Sequence, residues 1–496
     1  MNKNFSVTAL FLFVLLLAVP AMAWQGRMAG TGDASGLMED ESDYLTHPSA
    51  IAAAKGFNAY GHYRLTYDKT ATWDYRLSAP LYNVISPYAG SGHSWKNEAQ
   101  LGAAFALGAG RMGVFVDYAG VRGTYSGNEN YDGFYGPGYA VYDLDNKLDN
   151  FALKVIYGLP AGGVKLGGEL QIAYRNEEQK NLWMEGNAAL MNYPWAAENS
   201  PEINLYPFMI PCKSQYWEAQ GKASVLGMMG PAKYAFTLTG GLPFGSSNEY
   251  RYDDVPLTYV NAEGKVKGFH VGGDFWLRVP LSDRLVLPFV VAAGYKDMKR
   301  NGSGISLWPS IVTYDQETRD IFVKVGGGVD FTPAGGTRVA GGLYYDYLYT
   351  SQSLYFFDDT FTPPAFFVDN YADLPKSSEH RLTLKTLVEK ELCSRTILLG
   401  GVNAFYGRVK NDYAYAAYSH SGPREPLDIS TGGWTAGVNA SVGATIKLEP
   451  VSLEPFITAG YSEYKTNGDG TLGASAATLD LKRAGWLVGG GLSVRF

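Results

Sequence analysis

The sequence predicts an all-β protein: a transmembrane antiparallel β-barrel of about 16 strands (14 being the other count it admits), with an N-terminal plug segment. Three observations predict it. Runs of ten or more residues alternate apolar with small or polar side chains, as a strand does when its faces meet different surroundings. Tight turns join these runs in pairs, and much longer segments separate the pairs, which is the layout of a bacterial outer-membrane barrel. After the N-terminal leader, no apolar run reaches the roughly 18 residues that a spanning helix needs. Composition agrees: among 496 residues there are 60 Gly and 36 Tyr, with only 18% charged.

The elements follow in chain order. Residues 1–23 read as a signal peptide: Lys3, the apolar core "ALFLFVLLLAVPAM", and the small-x-small site Ala21-Met22-Ala23. Residues 24–56 do not alternate, and are expected to be a plug or hatch carrying Asp33, Asp40, His47 and Pro48. "GTGDASG" within them is no phosphate loop, because no strand precedes it and no Lys-Ser/Thr follows. Residues 57–496 form the barrel. In "GVKLGGELQIAYR", Val164, Leu166, Leu170, Ile172 and Tyr174 alternate with Lys165, Gly167, Glu169, Gln171 and Arg175. Tight turns fall near Gly110, Pro160, Gly230, Ser282, Pro333, Cys393 and Pro450. Seven hairpins with a first and a last strand give sixteen. The long segments at about 70–92, 128–146, 181–213, 246–263, 301–315, 352–377, 411–430 and 466–477 are expected to be loops at the other end. Cys212 and Cys393 then lie at opposite ends and form no disulfide.

The two faces assign side chains. Tyr118, Tyr174, Tyr295, Tyr347, Tyr406 and Tyr461 fall at similar depth on or near the apolar face, where they predict an aromatic girdle. The other face directs Asp117, Lys154, Glu169, Arg175, Asp274, Arg278, Asp320, Lys324, Asp330 and Arg338 into the lumen. Across the turns, Asp330 is expected to meet Arg338, and Lys154 to meet Glu169. Mixed-sign ladders of this kind satisfy a wet lumen. Two long segments are rich in apolar residues and are expected to form a capture site at the outer mouth, or to pack inward and narrow the pore. One carries Trp183, Met191 and Trp195, and the other Phe356, Phe357, Phe361, Phe366 and Phe367.

Other chemistries find no support. The formal net charge of −7 argues against nucleic acid as a partner. None of the six histidines sits in a G-x-S-x-G or H-E-x-x-H context, so no enzyme, cofactor or metal is expected. Asp143, Asp145, Asn146 and Asp149 lack the glycine and distal Glu of a calcium loop, and read as a solvated acidic loop.

The glycine-rich opening, the acidic stretch and the step His47-Pro48-Ser49-Ala50-Ile51-Ala52 before the first strand resemble the long-chain fatty-acid and hydrocarbon transporter family of outer-membrane proteins. That resemblance implies a hatch folded into the barrel and passage of small hydrophobic or amphipathic solutes across the outer membrane of a Gram-negative cell. A general diffusion porin, or a barrel housing a partner such as an electron carrier, are the other functions open. The last strand alternates and ends on Phe496, with Trp486 on its apolar face. It resembles the signal by which the barrel-assembly machinery recognises its clients. Outer-membrane lipid is the other expected partner.

Overall fold

The structure is a computed structural model that describes residues 25–31, 37–38, 43–79, 84–133, 136–187, 206–253, 258–306, 311–333, 335–358, 368–417, 425–472 and 475–496. The signal peptide lies outside them. Two short helices, α1 (Gln25–Gly30) and α2 (Asp43–Thr46), and a 3-10 turn, η1 (Pro48–Ala53), precede sixteen strands. These are β1 (Asn58–Ala79), β2 (Val84–Leu107), β3 (Gly110–Gly133), β4 (Gly136–Ala161), β5 (Val164–Asn187), β6 (Tyr206–Met229), β7 (Ala232–Asp253) and β8 (Thr258–Ser282). They continue as β9 (Leu285–Ser306), β10 (Ile311–Phe331), β11 (Thr337–Asp358), β12 (Val368–Cys393), β13 (Thr396–Ala417), β14 (Glu425–Leu448), β15 (Val451–Leu472) and β16 (Ser475–Arg495). Each strand pairs antiparallel with its sequence neighbours, and β1 closes on β16. Closure leaves no edge with unpaired backbone groups, which is what a strand structure in lipid requires.

Tight turns set the register. Leu107 faces Gly110 and Ala161 faces Val164, and in each the first turn residue, Gly108 or Gly162, has φ near +60°. Glycine adopts that conformation without a Cβ clash. From such fixed ends the alternation runs as expected. In β5, Leu170 and Ile172 are exposed on the outside, while Glu169 is buried on the inside. In β14, Val438 and Val442 are exposed outward, and Thr435, Ser441 and Thr445 are buried inward. An exposed apolar band of this height, encircling a closed barrel, is a surface made for bilayer hydrocarbon.

The girdle caps that band. Tyr118, Phe151, Tyr174, Trp217 and Phe244 are direct cross-strand neighbours over five strands. Further outward pairs are Tyr461 with Trp486 (ring centroids 4.7 Å apart), Phe269 with Tyr295 (5.7 Å) and Tyr67 with Trp95 (4.5 Å). All six tyrosines expected in the girdle have outward register positions.

One expectation is corrected. Most of the long segments read as loops are strand. β4 begins at Gly136, β5 runs to Asn187 and β11 to Asp358. Past the girdle both faces of the wall meet polar surroundings, so alternation fades there while backbone pairing continues. Asp145 and Asp149 are therefore on the outward face of β4 and Asn146 on the inward face, so they do not converge on an ion. Asp149 instead pairs with Arg122 at 2.7 Å.

The glycines of the final strand lie at the closing seam. Gly489, Gly490 and Gly491 face Thr66, Leu65 and Arg64 of β1. A Cβ on Gly491 would lie 2.2 Å from the Tyr63 carbonyl oxygen and 2.7 Å from the Phe456 ring. Beside it the rings of His62 and Phe456 stack at 5.8 Å, and His62 Nδ1 is 2.7 Å from Ser493 Oγ. Cys393 is free at the β12–β13 turn.

Candidate functional site

The candidate site is the lumen and the N-terminal segment that occupies it. All ten lumen charges read from the sequence fall on inward register positions. Asp330 takes a bidentate contact from Arg338 (2.8 and 2.6 Å) and a further one from Arg278. Arg175 pairs with Glu218 at 3.0 Å, and Thr350 donates to Asp320 at 2.9 Å. Lys324 is 3.7 Å from Asp346. The expected Lys154–Glu169 pair does not form. The Ala161–Val164 turn puts Lys154 opposite Gln171 and Glu169 opposite Ile156. Lys154 instead meets Asp117, and the buried Glu169 meets Lys222 of β6 at 3.2 Å.

The described part of the N-terminal segment touches inward residues on two sides of the wall, so it lies inside the barrel near the tight-turn end. One attachment is ionic. Arg27 of α1 donates from Nε and Nη2 to the Glu389 carboxylate (2.6 and 2.7 Å), and its backbone N–H donates to Glu454 (2.7 Å). Glu389 is also 3.6 Å from Arg338, and Arg278 donates to the Leu37 carbonyl at 3.0 Å. Met28, Leu37 and Met38 pack there with Ala340, Tyr344 and Leu387. Charge-assisted bidentate contacts are the strong ones when partly buried, and here they tie α1 and Leu37 to one network.

The second attachment is apolar and hydrogen-bonded. Ile51 is buried with Tyr44, Tyr60, Phe115 and Ile156. Bare wall makes room for it: a Cβ on Gly113 or Gly158 would come within 2.7 Å of Ile51, and one on Gly167 within 2.4 Å of the Pro48–Ser49 backbone. The Ser49 N–H donates to Ser224 at 2.6 Å, His47 Nδ1 is 2.7 Å from Thr237 Oγ1, and Lys222 reaches the Leu45 carbonyl. Burial, with the Lys222 cation second, lowers the His47 pKa to about 4, so its ring is neutral at pH 7. Of the other plug and loop residues, Asp33, Asp40, Met191, Trp195, Phe361, Phe366 and Phe367 lie outside the described residues. Trp183 belongs to the backbone of β5, and Phe356 and Phe357 to that of β11.

Two cavities open on the lumen. One of about 570 Å³ lies among Asp68, Thr70, Thr435, Glu463, Tyr464 and Arg483. Another of about 330 Å³ lies against the N-terminal segment, where Asp43, Thr46 and His47 meet Asp274, Trp276, Phe322, Lys324, Tyr344, Asp346 and Leu348. Both are of the size that takes small molecules. The sequence did not single out Phe322 or Leu348. They occupy lumen-facing positions in strands whose neighbours are polar, and the signal was that single break in the polar face.

No family model matches the chain, and no curated protein matches it. Among solved structures it is similar to a FadL homologue of Pseudomonas aeruginosa, at 12% identity and a TM-score of 0.41, over 96% of this chain and 98% of the other. It is also similar to the toluene transporter TodX of Pseudomonas putida (12%, TM-score 0.40, 96% and 98%) and the toluene transporter TbuX of Ralstonia pickettii (10%, TM-score 0.34, 93% and 97%).

Proposed function

We propose that the protein is an outer-membrane channel through which small hydrophobic or amphipathic molecules pass, and that its own N-terminal segment is the plug. The observation that carries this is the double attachment of the described residues of the N-terminal segment to inward wall residues, directly beside a cavity lined by aromatic and aliphatic side chains on one side and charged ones on the other. A general porin can narrow its lumen with a folded-in segment, but it needs a path that stays open to water. A barrel that houses a partner protein needs that space vacant. Trp183, Met191, Trp195, Phe356, Phe357, Phe361, Phe366 and Phe367 are the proposed capture residues at the wide-loop end, and Phe496 with Trp486 the proposed assembly signal. Passage requires the plug to shift, which its attachment by side-chain contacts, ionic, hydrogen-bonded and apolar, allows.

Planar-bilayer conductance of the purified protein tests this. The full chain should stay closed, and deletion of residues 24–56 should produce steady open channels. A full chain that conducts steadily would instead favour the porin. Uptake of toluene or a fatty acid by cells, with and without residues 356–367, tests capture; uptake that survives the deletion places the capture site elsewhere.

A further inference from the structure

We infer that the 330 Å³ cavity is a binding site for amphipathic molecules with a cationic amine head, and that it selects against carboxylates. This rests on the channel proposed above and names what its inner site prefers. The apolar half of the site is a platform. Phe322 and Leu348 face each other across β10 and β11. They are 43% and 37% exposed, although they point into a lumen lined mostly by polar groups. Apart from Met228 beside a turn, they are the exposed large apolar side chains on the inward face among the described residues. The Phe322 ring lies over Gly294 of β9, where a Cβ would come within 2.1 Å of it. Gly272 continues the same row on β8. Two bare glycines beside two exposed apolar side chains make a shallow shelf for a ring or short alkyl body.

The polar half is the adjacent row. Asp274 faces Ala292, Ala292 faces Lys324, and Lys324 faces Asp346. Asp43 also lines the cavity, from the side of the N-terminal segment, with Arg278 as a cation near it. Beside Asp274 and Asp346 stands Lys324, already 3.7 Å from Asp346. The cation that acts most strongly on Asp274 is Lys222, ahead of Lys324, and Lys222 is itself engaged by Glu169 and the Leu45 carbonyl. Among the described residues Asp274 has no hydrogen bond or ion pair. A half-buried carboxylate without a donor, one row from an apolar shelf, complements an ammonium group, and repels an anion of the same shape. His47, neutral at pH 7, adds no positive charge.

Isothermal titration calorimetry on the full chain in a nonionic detergent tests this with three probes of matched size: 2-phenylethylamine, phenylacetate and toluene. The amine should bind about tenfold or more tightly than phenylacetate, as one charge-assisted hydrogen bond allows. Asp274→Asn should bring the two affinities together. Lys324→Met should widen the gap, and Phe322→Ala should weaken amine and toluene alike while keeping the amine preference. Heat-modified migration on SDS gels checks that each variant is folded. Phenylacetate binding as tightly as the amine, or an unchanged ratio in Asp274→Asn, overturns the inference. Toluene binding without any charge preference removes the inference and leaves the channel for hydrophobic solutes. Binding of none of the three removes both.

Discussion

Single residues decide whether the N-terminal segment stays attached and whether the barrel closes. Arg27 carries the ion pair between the N-terminal segment and Glu389. Arg27→Ala leaves the buried Glu389 with only the 3.6 Å contact to Arg338, and should weaken the anchor by about 2 kcal/mol. The expected outcome is frequent channel openings in a bilayer and faster proteolysis of the N-terminal segment. His47 gives a pH dependence of stated sign. Its pKa is about 4 when docked and near 6.5 when released. The docked state therefore binds fewer protons between those values. The attachment is at full strength above about pH 6.5 and is lost as pH falls toward about 4. Conductance should rise over that window, and His47→Gln should abolish the dependence. At the seam, Gly491→Ala puts a Cβ against the Tyr63 carbonyl and the Phe456 ring. It should cost about 1–3 kcal/mol, read as a lower temperature at which the folded band is lost on SDS gels.

At the scale of elements, the strands were legible wherever lipid lies outside and water within. The period of two, as in residues 164–175, assigned the lumen charges to the face that the strand register turns inward, and the tight turns marked the count of sixteen. Legibility failed where that contrast ends. Beyond the girdle, as in Gly136–Asp149, lipid no longer contrasts with water across the wall, the alternation fades, and the segment reads as loop. It also failed where a register offset of two residues decides the partner: Lys154 faces Gln171 rather than Glu169, and meets Asp117 across β3–β4. The contacts of the plug were hidden for a different reason. Ile51 against Gly113 and Gly158, or Arg27 against Glu389, are long-range pairings that no local pattern encodes. The lack of alternation in residues 24–56, with the resemblance of the His47–Ala52 step, marked the segment as something other than wall. Topology is tested by cysteine labelling on intact cells: a cysteine introduced near residue 361 should react, and one near Ala161 should not.

For the molecule as a whole, closure joins its first and last strands, so the two ends of the chain must meet before any of the wall is complete. β1 pairs with β16 along most of its length, and the Phe496 N–H donates to the Ala59 carbonyl at 3.3 Å. Removing Phe496 should lower the amount of folded protein in the outer membrane without changing the solutes that the assembled barrel passes; folded-band yield and toluene uptake measure the two separately. The length of the wall has a consequence of its own. Strand residues beyond the girdle, such as Gly136–Asp149 in β4, rise about 3.3 Å each along the strand. Even at the tilt of a barrel this carries the rim tens of ångströms clear of the bilayer surface. The protein is thus a chimney as much as a pore. A solute arriving from water travels this raised shaft before it reaches the level of the bilayer, and one dissolved in the membrane reaches only the outside of the same wall.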